Sequence, residues 1–178
     1  MPRNKPRYTT RYIALVALIT ALCVVGRYLF QFIPNVQPVT DIIIFMTLTY
    51  GFVTGSYIAI LSILISNVLL GFGIWTLPQL FAYLMVVGCA WLVSHWSYLR
   101  HRLWLQALFS LFAGYLYGFC VSIGQYPLFG GWPQFVAYYL AGLSFDTLHA
   151  GGNLMLYFIL IPPLNKLLLQ LHLDKGLS

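Results

Sequence analysis

The chain has 178 residues, of which 61% are hydrophobic and only 7% charged, with a formal net charge of +6. Soluble domains carry about 25% charged residues, so this composition excludes a water-soluble fold and leaves no room for a soluble catalytic domain. The positive charge is no nucleic-acid footprint either, because eight of the nine Lys and Arg residues sit at the N-terminus, in one short loop and in the C-terminal tail, not on one basic face.

Residues 42–99 and 103–145 contain no Asp, Glu, Lys or Arg. A charge at mid-helix costs roughly 2.5–3.5 kcal/mol on insertion scales, and a spanning helix needs about 20 apolar residues. The length therefore accommodates about six such helices. The predicted fold is an all-α integral membrane protein: a basic N-terminus (1–11), one six-helix transmembrane domain (12–165) and a C-terminal tail (166–178).

The first predicted helix covers residues 12–32. Arg3, Lys5, Arg7 and Arg11 precede its apolar run, as in a signal peptide, but no small-residue cleavage site precedes Arg27, so the helix is expected to be retained. Ala14, Ala17 and Ala21 form a stripe of small residues that suits close helix approach. It serves either packing inside the bundle or docking of a separate membrane protein. Two prolines in Ile33-Pro34-Asn35-Val36-Gln37-Pro38 end the helix. A second helix is predicted over residues 40–52, a tight turn at Thr54-Gly55-Ser56, and a third helix up to residue 70. Gly71 to Trp75 reads as a glycine-bearing loop. Thr76 is the expected cap of a fourth helix ending near Ser94, with Pro78 tolerated in its first turn.

His95 to Arg102 is the most polar internal loop. The fifth helix is predicted over residues 103–121, followed by a loop rich in Gly, Pro and aromatics. The sixth begins near Gln134 and is expected to end at Pro162-Pro163. With six spans, both termini share a side with the 95–102 loop. That side holds all the basic residues except Arg27, and the positive-inside rule makes it cytoplasmic. The three cysteines, Cys23, Cys89 and Cys120, are scattered within predicted spans and read as small buried hydrophobes, with no metal or disulfide spacing.

The opposite loops carry neutral groups: Asn35, Gln37, Trp75, Gln125, Tyr126 and Trp132. Aromatic belts explain part of this. Amides grouped with tryptophans also suit capture of an uncharged small molecule. The sequences Pro78-Gln79-Leu80-Phe81-Ala82-Tyr83 and Pro133-Gln134-Phe135-Val136-Ala137-Tyr138 start the fourth and sixth helices alike, as two walls of an outward cup.

Three polar groups inside spans need partners. Tyr138, Gly142, Asp146, His149 and Asn153 fall on one stripe of the sixth helix. An Asp146–His149 hydrogen bond or ion pair that locks the bundle is the favoured reading, and a ligand or proton site the other. Arg27 and Asp41 flank the first loop and are expected to pair across it. Asn67, near the end of the third helix, either holds the loops or touches a ligand. No Walker-type loop, His-Glu-x-x-His or nucleophile elbow is present, and three carboxylates in all leave little scope for paired-carboxylate catalysis.

The small-residue stripe, the six short spans and these loops together resemble an S component, the substrate-binding subunit of an energy-coupling factor (ECF) transporter. The resemblance covers about residues 14–160. Its more specific motifs are Pro34-Asn35-Val36-Gln37-Pro38-Val39-Thr40, Ser66-Asn67 with Gly71-x-Gly73-x-Trp75-Thr76-x-x-Gln79, and Phe145-Asp146-x-x-His149-Ala150-x-x-Asn153. These look most like the cobalamin-specific, CbrT-like branch, which would often place Pro where this chain has Ile74.

The resemblance implies a bacterial cytoplasmic-membrane protein that captures a vitamin, cobalamin foremost, and is no enzyme itself. It implies association with a membrane coupling subunit (EcfT-like) through Ala14, Ala17 and Ala21, and with two cytoplasmic ATPases that supply the energy. Cobalamin would be a transported ligand, not a cofactor. Corrin amides would meet Asn35, Gln37, Gln79 and Gln134, and the macrocycle would lie against Trp75, Tyr83, Trp132 or Tyr138, with Thr40 and Asn67 nearby. Other vitamins or precursors (riboflavin, pantothenate, a queuosine precursor) remain open. So do two other classes, an MreD-like envelope scaffold and an intramembrane enzyme using Asp146 and His149.

Overall fold

The computed structural model describes residues 9–128 and 130–170. The basic residues Arg3, Lys5, Arg7 and Lys175 lie outside this range. The described residues form helices and no strand: α1 (Thr10–Leu29), α2 (Val39–Tyr50), α3 (Phe52–Leu70), α4 (Thr76–Val93), α5 (Ser97–Arg100), α6 (Leu103–Gly124) and α7 (Trp132–Gln170), with a 3-10 turn at Tyr126–Leu128. Five of them, α1, α3, α4, α6 and α7, are long and apolar enough to cross a membrane, whereas α2 has 12 residues. The chain is thus a bundle of apolar helices of multi-pass membrane character.

Local chemistry sets the boundaries. Thr9 caps α1, its hydroxyl accepting from the Tyr12 amide at 3.2 Å. The expected turn at Thr54-Gly55-Ser56 does not form. The chain turns at Gly51, whose φ of 88° suits a residue without Cβ, and Thr54 to Ser56 open α3. Gly55 is needed there for another reason: a Cβ would overlap the Thr47 hydroxyl of α2. Thr76 does not cap α4. It lies inside the first turn, and its hydroxyl accepts from the Asn67 side chain at 3.0 Å instead.

The polar 95–102 loop contains the one-turn α5, and α6 runs three residues beyond its expected end. The sixth predicted helix differs most. Pro162 and Pro163 do not end it, and α7 continues to Gln170. Each proline removes a backbone donor, at a cost of about 3 kcal/mol in a helix interior. Ile161, Leu164 and Leu168 remain buried in the apolar core on either side, so tertiary packing holds the turn in place.

Hydrophobic transfer supplies little helix association in lipid, where close packing of small residues matters more. α6 packs most extensively on α7. At their crossing, a Cβ on Gly114 would come within 2.6 Å of the Ala150 backbone, and one on Gly118 would overlap the Asp146 carboxylate. α2 is the central element, touching α1, α3, α4, α6 and α7, with ten of its twelve residues buried. Ala14, Ala17 and Ala21 are all exposed on the outer face of α1, beside Ile13, Leu18 and Leu22. That settles one of the two sequence readings: the stripe does not pack inside this bundle.

Candidate ligand-binding site

The up-and-down course of the long helices brings the start of α4, the end of α6, the start of α7 and the α1–α2 loop to one end of the bundle. Arg100, Arg102 and Lys166 belong to the other end. A cavity of about 460 Å³ opens among the first set. The loop contributes Asn35, α4 and its preceding residue contribute Gln79 and Trp75, and α6 contributes Tyr117, Gly118, Val121 and Ser122. Gln125 follows α6. From α7 come Tyr138, Ala141, Gly142, Phe145 and Asp146.

Asn35 is fixed by local strain and a tether. It is the sole non-glycine residue with positive φ among the described residues, at 59°, a region Asn tolerates better than most residues. Its Nδ2 donates to the Phe145 carbonyl at 2.9 Å, tying the loop to α7. Val36 follows it and packs against Gly152, where a Cβ would come within 2.8 Å. Across the cavity, Tyr138 donates to Gln125 Oε1 at 3.3 Å.

A polar chain runs from the cavity wall into the bundle. Asn67 Nδ2 donates to Gln79 Oε1 at 2.8 Å, and Asn67 Oδ1 accepts from Arg27 at 3.2 Å. Arg27, only 6% exposed, also donates to Gln37 at 3.0 Å and to Ser66. The expected Arg27–Asp41 pair is therefore absent. Neutral oxygens from two segments, the α1–α2 loop and α3, surround the guanidinium, while Asp41 is held from another direction by Ser110 of α6. The remaining Asp41 oxygen, Oδ2, has no partner.

Below the cavity lies an aromatic and hydroxyl layer. The Tyr117 ring sits 4.6 Å from that of Tyr83 and 5.1 Å from that of His149. His149 Nε2 lies 2.8 Å from Thr40 Oγ1, which is 3.4 Å from the Tyr83 hydroxyl. His149 is thus engaged by α2, and the expected Asp146–His149 lock does not form. Asn153, one turn further, donates to the Ser110 carbonyl at 3.1 Å and fastens α7 to α6.

Of the ten residues expected to bind substrate, Asn35, Trp75, Gln79 and Tyr138 line the cavity. Gln37 and Asn67 support its wall through Arg27, and Thr40 and Tyr83 are buried beneath it. Trp132 and Gln134 lie outside the lining. Trp132 stacks on Phe135 at 5.1 Å and meets Tyr126 edge-on, and Gln134 folds over Gly130 and Gly131. The likeness between the starts of α4 and α7 is thus not a likeness of position: Gln79 faces the cavity and Gln134 does not.

Sequence reasoning named no site residue on α6, although the resemblance implies that the outer half of this helix takes part. The signal was available in Gly114-x-x-x-Gly118, small residues four apart that draw α7 close. Asp146 lines the cavity and makes no hydrogen bond to His149, which leaves the other reading of that stripe, a ligand or proton site. A second recess, about 420 Å³, opens at the opposite end between the C-terminal half of α2, Arg100, Gln106 and Pro162. Among the described residues no group of His, Cys, Asp or Glu is arranged to hold a metal ion. No protein-family model, curated protein or solved structure matches the chain.

Proposed function

We propose that the chain is the substrate-binding subunit of an ECF-type vitamin importer in the bacterial cytoplasmic membrane. In this reading α1, α2, α3, α4, α6 and α7 are the six membrane elements, both termini are cytoplasmic, and the cavity opens outward. The observation that carries the reading is the cavity itself. It lies at the end away from the basic loop, has a volume within the usual range for small-molecule sites, and is lined by neutral amides and aromatic faces with a single carboxylate, Asp146. The exposed stripe of Ala14, Ala17 and Ala21 supports docking of a coupling subunit, through which partner ATPases supply the energy.

Cobalamin is the substrate we place first, on the loop motifs of the sequence. The cavity volume favours a second reading. A corrin with its side chains is larger than 460 Å³, so it would have to be held partly by the outer loops, whereas a riboflavin-sized vitamin or precursor would fit whole.

Calorimetric titration of the purified protein in detergent, first with cobalamin and then with a vitamin panel, tests both. Saturable cobalamin binding supports the first substrate. Binding of a smaller vitamin alone keeps the importer and replaces the substrate. No binding by folded protein overturns the importer reading in favour of an envelope scaffold.

A further inference from the structure

The cavity wall is neutral except at one point. Asn35, Gln79 and Gln125 present amides, Trp75 and Tyr138 present aromatic faces, and Asp146 presents the sole carboxylate among the lining residues. Asp146 is 7% exposed, and its carboxylate makes no hydrogen bond or ion pair among the described residues. Neither Arg27 nor His149 pairs with it. Arg27 is bound to Gln37, Ser66 and Asn67, and His149 is turned to Thr40.

Gly118 shapes this corner. A side chain there would occupy the space of the carboxylate, so the glycine is what lets Asp146 sit against α6 at the cavity edge. A carboxylate withdrawn from water without a partner is costly, and the open side of this one faces the cavity.

Resting on the reading of the cavity as the site of vitamin capture, we infer that Asp146 is a substrate-contacting, specificity-determining residue. It accepts a hydrogen bond from an amide or amine N–H of the transported molecule. A molecule that brought a carboxylate to the same place would be rejected, since two like charges at contact repel and neither has a cation to share. Among vitamins the site therefore selects neutral or cationic N–H donors over anionic compounds such as pantothenate, whose carboxylate would be repelled.

The test is titration of the full-length protein in detergent with cobalamin and with its monocarboxylates, in which one side-chain amide is hydrolysed to an acid. The wild-type protein is expected to bind cobalamin and to bind at least one monocarboxylate about 10-fold or more weakly. Asp146→Asn should weaken cobalamin binding about 10- to 100-fold, the range for loss of a charge-assisted hydrogen bond, and should narrow the gap to that monocarboxylate. Gly118→Ala displaces the carboxylate without removing it and should weaken cobalamin binding too. It decides the matter if Asp146→Asn does not fold.

If the wild type binds only a smaller vitamin, the same variants are titrated with that vitamin and the same loss is expected. Unchanged affinity in both variants overturns the role of Asp146 and leaves the capture reading standing. Absence of binding by the wild-type protein to any vitamin overturns the capture reading, and this inference with it.

Discussion

Asn67 and Gln79 are joined by a 2.8 Å hydrogen bond across the loop between α3 and α4. Asn67 is the junction of the polar chain. The same amide nitrogen also donates to Thr76 at 3.0 Å, while its oxygen accepts from Arg27. Losing it would leave a buried guanidinium short of one acceptor and free Gln79 from its orientation. Asn67→Ala is therefore expected to cost about 1–3 kcal/mol of stability, read as a lower thermal midpoint in detergent. A midpoint equal to that of the wild type would show that the chain bears no load.

Cavity lining separates residues that look alike in sequence. Gln79→Ala and Trp75→Ala should each weaken vitamin binding several-fold, the net worth of about one hydrogen bond or ring contact. Gln134→Ala and Trp132→Ala, outside the lining, should bind as the wild type does. Isothermal titration of the four variants checks the division, and equal losses in both pairs would refute it.

The outer face of α1 predicts a split between binding and uptake. Ala17→Trp and Ala21→Trp place bulk on an exposed surface, so the isolated protein should fold and bind its vitamin normally. Cellular uptake should nevertheless collapse, because the flat stripe is the proposed seat of the coupling subunit. Uptake at the wild-type rate would remove α1 as the docking face.

Two helical glycines should respond oppositely to the same substitution. Gly114→Ala drives a methyl to within 2.6 Å of the Ala150 backbone and should destabilise the α6–α7 contact by about 1–3 kcal/mol. Gly151→Ala meets nothing within 4 Å and should be neutral or gain up to about 1 kcal/mol from helix propensity. Thermal unfolding of both variants provides the comparison, and a shared sign would contradict the packing described.

Much of the architecture was legible because charge exclusion and breakers act locally. The charge-free runs marked the helices, and Pro34, Pro38 and the Gly71 to Gly73 segment marked real interruptions. Partner choice was not legible in the same way. Arg27 and Asp41 flank one loop, yet the guanidinium is satisfied by Gln37, Ser66 and Asn67, neutral groups whose convergence depends on how α1 and α3 cross. Asp146 and His149 share a stripe of one helix, but they meet different neighbours because α6 and α2 approach α7 from different directions. The double proline misled for a related reason. Its cost is local and visible, whereas the burial of Leu164 and Leu168 that offsets it is tertiary.

The brevity of α2 has a mechanical consequence. At 1.5 Å per residue its twelve residues reach about 18 Å, well short of the roughly 30 Å of bilayer hydrocarbon that its longer neighbours can cross. The two recesses flank this shortfall, one above the layer of Thr40, Tyr83 and His149 and the other beside Leu48 and Thr49. α2 is thus the core of a septum thinner than a bilayer's hydrocarbon, and only that thickness of packed side chains separates the two recesses.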